Sequence, residues 1–344
     1  MLNPRRGSPL WGWGVPDPAQ PSRMRVGVVP WKSAMADIVL GIGTSHTPQI
    51  SVPWAHWPTL RRTEEASPHI PDDLEAQLQP AVFQRRHAAA QTAVRQLGQV
   101  LRGADLDAIV VFGDDQHEQF NDANMPVIAI YHGESFSLKR RDYGQGTPSW
   151  IKVEEANWEQ TRPEYPSAAD LAQRLIASLT EREFEITRCS ELRENVGIGH
   201  AFSFLYRRLW PDCQVPIVPV MLNTYYPPNQ PTPKRCYALG KAIGEVIADW
   251  KGGSRVAVMA SGGLSHIVID EPLDQQLLDA LRARDRQALC GFPRSQLKGG
   301  TSEALNWIAV SGATEHLSMT LVDYIPGYRT PPSTGCAMAF AYWN

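Results

Sequence analysis

No residue type dominates this 344-residue chain, and several informative signals are missing from it. Charge of one sign is not in excess. Lys and Arg total 33 against 36 Asp and Glu, a formal net charge of −3, which gives no electrostatic reason to expect a nucleic-acid partner. No run of about 18 apolar residues occurs, so no membrane-spanning helix and no membrane partner is expected. Cysteine is scarce. The five (Cys189, Cys213, Cys236, Cys290 and Cys336) include no C-x-x-C pair, and their number is odd. That argues against a disulfide framework and against a thiolate zinc site, and fits reduced thiols in the cytoplasm. Neither G-x-S-x-G nor H-E-x-x-H is present, which removes the main support for two hydrolase readings. There is no internal repeat and no low-complexity tract.

Residues 1–34 stand apart, rich in Pro, Gly and Trp and without periodicity. Arg5-Arg6 is followed by a stretch broken by Gly and Pro, not by the apolar core of an export signal. The expectation is a disordered or spurious leader, with Met35 (or Met24) as the biological start. From residue 36 onward, short apolar runs rich in β-branched residues fall at 37–42, 107–112, 126–131, 215–222 and 255–260. Their continuity suits strands buried on both faces. Helical spacing covers 82–102, 168–181 (with Ser167 as N-cap), 233–250 and 273–289. This alternation predicts a single α/β domain over 35–344, with a mostly parallel or mixed central sheet flanked by helices.

Three histidines share a position relative to these strands. His46 follows the 37–42 strand by four residues, His117 follows 107–112 by five, and His266 follows 255–260 by six. In an open α/β sheet, ligands bind beyond the carboxyl ends of the strands. Neighbouring parallel strands would bring all three imidazoles to one crevice. Imidazole is both a common metal ligand and the usual acid/base near neutral pH. A carboxylate would complete a metal site, and spacing alone does not choose it. Asp114 and Asp115 could equally orient the His117 ring. His87, on a helix face with Arg85 and Arg86, reads as a solvated residue, and Trp54, Trp57, Trp150 and Trp158 read as packing.

The loops resemble the class III extradiol dioxygenases, the family typified by the catalytic β subunit of protocatechuate 4,5-dioxygenase. Gly41 to His46 is similar to that family's N-terminal G-x-x-x-S-H element. Asp115-Gln116-His117 with Phe120 resembles its D-H-x-x-x-F loop, except that Gln116 separates the Asp from the His. Gly197-Ile198-Gly199-His200 resembles a D-H-G loop but lacks its Asp and the Gly that follows the His. Gly262-Gly263-Leu264-Ser265-His266 is close to G-G-x-S-H. Glu303 stands four residues before Trp307, as the family's carboxylate ligand stands before a Trp. Asn223 to Pro228 and Lys234 to Gly240 resemble its T-Y-P-P and K-R-C-F-A-L-G stretches.

The resemblance implies Fe(II) held by His46, His117 and Glu303, with His266 as acid/base and His200 assisting. It implies dioxygen-dependent extradiol opening of a catechol-type ring. The glycine-rich first loop and the Asp-Asp-Gln-His loop look more like the gallate and 3-O-methylgallate branch, so a carboxylated catechol is expected. A homo-oligomer, or an assembly with a separate small subunit, would fit. Two rivals stay open: a zinc hydrolase using the same His, His and Glu, and a non-catalytic binding protein of the same fold.

Overall fold

The computed structural model describes residues 36–60, 69–138, 152, 163–194, 196–250 and 254–344. The expected leader, Trp150 and Trp158 lie outside them. Nine strands form one mixed sheet. In chain order these are β1 (Asp37–Thr44), β2 (Ala108–Asp114), β3 (Ile128–Tyr131), β4 (Ile186–Cys189), β5 (Ile217–Leu222), β6 (Arg255–Ser261), β7 (His266–Val268), β8 (Met319–Tyr328) and β9 (Thr334–Trp343). Their spatial order is β8-β9-β1-β6-β2-β5-β3-β4, with β7 pairing β9. The centre, β1-β6-β2-β5, is parallel throughout. The C-terminal hairpin of β8 and β9 joins β1 antiparallel, and β3 runs antiparallel to β5.

The expected α/β class and mixed sheet are therefore what the chain forms. The central strands are apolar throughout because both of their faces are covered. Val110, Phe112, Val218, Val220, Val256 and Val258 pack on one side, and Ile109, Val111, Ala257 and Met259 on the other. Helices α2 (Ala169–Glu181), α4 (Pro233–Ala248), α5 (Glu271–Ala283) and α7 (Ala304–Ala313) contribute to the first core. Helix α1 (Pro80–Gly103) and the short α3 (His200–Phe204) contribute to the second.

Several local expectations shift. The Ser167 hydroxyl bonds the Ile217 carbonyl, and Ala168 stands at the N-cap of α2. The stretch expected as one helix over 273–289 is two. Arg284 turns left-handed (φ 53°) to end α5, and the Asp285 side chain accepts the Ala288 N–H to start α6 (Arg286–Cys290). His87 is not fully solvated: it lies half-buried beside Trp57, 3.3 Å from Gln91 Nε2. The β8–β9 hairpin lacks the runs of Val and Ile that mark the central strands, and Pro326 and Gly327 interrupt it. No helix among the described residues is long and apolar enough to cross a membrane.

Candidate active site

The carboxyl ends of β1, β6, β2 and β5 open on one crevice, and each delivers side chains to it. Glu303 sits at its centre, 1% exposed, on the turn that leads into α7. Two side chains of that helix's first turn fix it. Asn306 Nδ2 donates to the Ser261 carbonyl and Trp307 Nε1 to the Gly262 carbonyl, both at 2.9 Å. Gly262 has φ 153°, and a Cβ on it would come within 2.8 Å of the Glu303 Cβ. Only glycine lets the backbone pass so close in that conformation.

The Glu303 carboxylate gathers five groups. Oε2 accepts the Gly263 N–H at 2.8 Å and lies 3.6 Å from His46 Nε2. Oε1 accepts the Tyr225 hydroxyl at 2.6 Å, faces His266 Nε2 at 3.1 Å and receives Gln116 Nε2 at 3.4 Å. Burial alone would raise its pKa. The charges of His266 and His46 outweigh burial and hold the carboxyl well below its ordinary value.

The tautomer of His46 follows from its neighbours. Ser261 Oγ spends its single proton on the Ala201 carbonyl, 2.5 Å away, and lies 3.0 Å from His46 Nδ1. It can therefore only accept from the ring, so Nδ1 carries the hydrogen. With its hydrogen on Nδ1, the ring turns Nε2 toward Glu303, the orientation a metal-ligating imidazole needs.

Asp114, the last residue of β2, completes this cluster. Ligand atoms of His46, Asp114 and Glu303 all lie within 4.8 Å of one another, and all three residues are buried. Asp114 Oδ2 accepts from Gln116 Nε2 at 3.0 Å. Its Oδ1 is buried with no hydrogen-bond partner among the described residues. An unmet buried carboxylate oxygen is costly and calls for a cation or a proton. Burial and the Glu303 charge push the Asp114 carboxyl up to about 6.

His117 does not join the cluster. Its backbone is left-handed (φ 60°) and its side chain is 30% exposed. The ring stacks on Tyr226 with centroids 3.9 Å apart, and its Nε2 lies 3.3 Å from the exposed Asp122 carboxylate. Gln116, one residue earlier, reaches inward instead. Asp115 caps its own loop by accepting the N–H groups of Gln119 and Phe120.

His266 and His200 both face the cluster. His266 Nδ1 donates to the Leu264 carbonyl at 2.9 Å, leaving Nε2 between Glu303 Oε1 and the Tyr225 hydroxyl, which is 3.2 Å away. Burial opposes a charge on this ring. The Glu303 carboxylate outweighs it and raises the pKa. His200 packs edge-on against His46, with centroids 4.6 Å apart. Burial opposes its charge too, but Glu118 raises the ring to about 10. Of the residues expected from sequence, His46, Glu303, His266 and His200 are thus brought together and His117 is not. Asp114, weighed above as a brace for His117, stands in the cluster instead, and Tyr225, Ser261, Gln116 and Glu118 are additions. Asp114 and Ser261 end buried strands and Tyr225 lies just beyond a third, so position relative to a strand could have flagged them.

The family described as "Catalytic LigB subunit of aromatic ring-opening dioxygenase" matches residues 66–338. A gallate dioxygenase of Pseudomonas putida is 32% identical over 139 residues, 37% of this chain and 38% of that protein. A 2,3-dihydroxyphenylpropionate/2,3-dihydroxicinnamic acid 1,2-dioxygenase of Cupriavidus necator is 32% identical over 101 residues, 29% of this chain and 30% of that one. A protein of the same description from Azotobacter vinelandii is 26% identical over 163 residues, 47% of this chain and 44% of its own length. The chain spans less than half the length of each of these relatives.

Proposed function

The chain belongs to the family of catalytic LigB subunits of aromatic ring-opening dioxygenases, and from that premise we propose that it performs the extradiol opening of a catechol-type ring with dioxygen. The substrate is a carboxylated catechol of the protocatechuate, gallate or 3-O-methylgallate kind. The names of the matched relatives, gallate and 2,3-dihydroxyphenylpropionate, both denote carboxylates with adjacent ring hydroxyls.

The observation that carries the reading is the buried His46, Asp114 and Glu303 group with its unmet Asp114 oxygen. One neutral imidazole and two carboxylates suit a hard or borderline divalent cation, Fe(II) in this reading. In it, Asp114 takes the place first expected of His117. When bound, the metal supplies Lewis-acid activation of the catechol oxygens and of dioxygen. The chain's own part is to hold these donors and to move protons. His266 Nδ1 is committed to a backbone carbonyl, so proton exchange with a substrate hydroxyl falls to Nε2. The Tyr225 hydroxyl, bonded to Glu303 and beside the same nitrogen, steers that atom. His200 supplies a second imidazole beside His46.

The test is oxygen uptake by chain loaded anaerobically with Fe(II), screened against protocatechuate, gallate, 3-O-methylgallate and catechol. Stoichiometric oxygen consumption with a ring-opened product is expected for at least one carboxylated catechol. No uptake with any of them, by protein that holds the metal, would sink the reading.

A further inference from the structure

Glu118 is a side chain that none of the sequence motifs picks out, and both of its carboxylate oxygens reach His200. Oε1 accepts the His200 backbone N–H at 2.9 Å, and Oε2 lies 2.9 Å from the His200 ring Nδ1. The two side chains are mostly buried, 11% and 24% exposed. The neighbouring residue makes room for this. A Cβ on Gly199 would sit 2.5 Å from Glu118 Oε2, so any side chain there would push the carboxylate off the ring.

The rest of the two loops holds the pair in register. Arg193 Nη1 donates to the carbonyls of His117 and Glu118, at 3.3 and 3.2 Å. Gln119 accepts the Arg193 N–H at 2.9 Å and donates to the Gly197 carbonyl at 2.8 Å. The left-handed turn at His117 lets Gln116 and Glu118 both reach inward from this stretch while His117 points away. A bracing carboxylate behind an imidazole fixes the ring's tautomer and aim.

We propose that Glu118 is a positioning residue: it locks His200 with Nδ1–H on the carboxylate, so that Nε2 faces the substrate space beside His46. Resting on the proposed function, Nε2 then hydrogen-bonds an oxygen of the bound aromatic. Glu118 itself touches neither substrate nor metal.

Two measurements test this. The first does not depend on turnover. In histidine-labelled, metal-free chain, long-range proton–nitrogen spectra read which ring nitrogen carries the hydrogen, and the His200 signal is identified by its loss in His200→Phe. Nδ1–H is expected in the native chain whether the ring is neutral or protonated, and its downfield, carboxylate-bound signal should be lost in Glu118→Ala. An unchanged His200 signal in Glu118→Ala would overturn the proposal, even if the chain has no ring-opening activity. The second is a double-mutant cycle on kcat/KM. Glu118→Ala should cost about 10–100-fold, as loss of a carboxylate behind an active imidazole typically does, with metal content unchanged. Glu118→Gln keeps one acceptor for Nδ1–H and should recover most of that loss. In a His200→Phe background, Glu118→Ala should cost nothing further, because its effect passes through the ring. Equal losses in both backgrounds would make Glu118 a loop brace only and defeat the proposal. If Glu118→Ala fails to fold, Glu118→Gln alone decides: a drop as large as that of His200→Phe counts against it.

Discussion

Strands β2 and β6 are parallel neighbours, and each is followed within a few residues by a histidine, yet the two loops use that histidine in opposite ways. After β6, a Gly-Gly turn carries His266 back over Glu303. The Ser265 hydroxyl and N–H both bond Asp274 of α5, at 2.6 and 2.7 Å, and Tyr324 donates to the same carboxylate. After β2 there is no glycine beyond the strand. The chain reverses at His117 itself, in a left-handed conformation that costs a non-glycine residue about 1–2 kcal/mol. The ring is spent on Tyr226, and the residues on either side of it do the inward work. Position at the end of a strand thus selects the crevice. The backbone conformation of one residue selects which of its neighbours enters.

The strongest way to break this comparison is to remove the carboxylate that, in the proposed reading, takes the place expected of His117. Asp114→Ala should abolish tight Fe(II) binding and turnover, whereas His117→Ala should retain metal, as measured by iron content after anaerobic loading and gel filtration. Iron lost from His117→Ala but kept by Asp114→Ala would restore the histidine as ligand. Next in size, His266→Phe should keep near-normal iron while turnover falls by about 10²–10⁴-fold, the usual worth of a general acid/base. An iron-free His266→Phe would instead make it a ligand.

A pH experiment sharpens the contrast at the brace behind His266. Burial pushes the Asp274 carboxyl up to about 7, against the bonds from Ser265 and Tyr324. Its unfolded value is about 3.9. The folded chain therefore holds this proton more tightly. The group's contribution to stability is fully present below about pH 4 and is lost as pH rises through about 7. The difference in unfolding free energy between the native chain and Asp274→Asn should change across that window and level off above it. A flat difference would mean that Asp274 is ionised at all these pH values. The smallest effect belongs to His117→Gly. Relief of the left-handed backbone, about 1–2 kcal/mol, offsets loss of the stacked ring, about 0.5–1.5 kcal/mol. Denaturant midpoints should move little, and a large loss would show that the ring carries more than packing.

The sequence made the sheet's parallel centre legible because strands buried on both faces are written as unbroken apolar runs. His46 and His266 were legible as histidines beyond strand ends on tight glycine turns, whereas Glu303 was named only by the family resemblance. The C-terminal hairpin was harder to see. Its β9 strand, from Gly335 to Ala341, is built largely of small residues that pack under neighbours instead of announcing themselves by bulk. In the β2 loop the placement differs from the expectation for another reason. A histidine after a strand end looks the same on paper whether its φ is negative or positive. Nothing in Asp114-Asp115-Gln116-His117-Glu118 says which residue will turn outward. Glu118 needed a partner from a loop 82 residues away.

The bond between His46 and Ser261 spans 215 residues, and Glu303 comes later still. No local segment can assemble this site during folding. Its donors meet only after β1 and β6 have paired and α7 has docked through Asn306 and Trp307. The closure entropy of so large a loop is borne by the sheet. An unfolded or partly folded chain would therefore offer a cation only scattered single ligands. Metal bound selectively to the finished fold stabilises it by mass action. Loading should then raise the midpoint of the whole unfolding transition together, with no separate early phase belonging to the crevice.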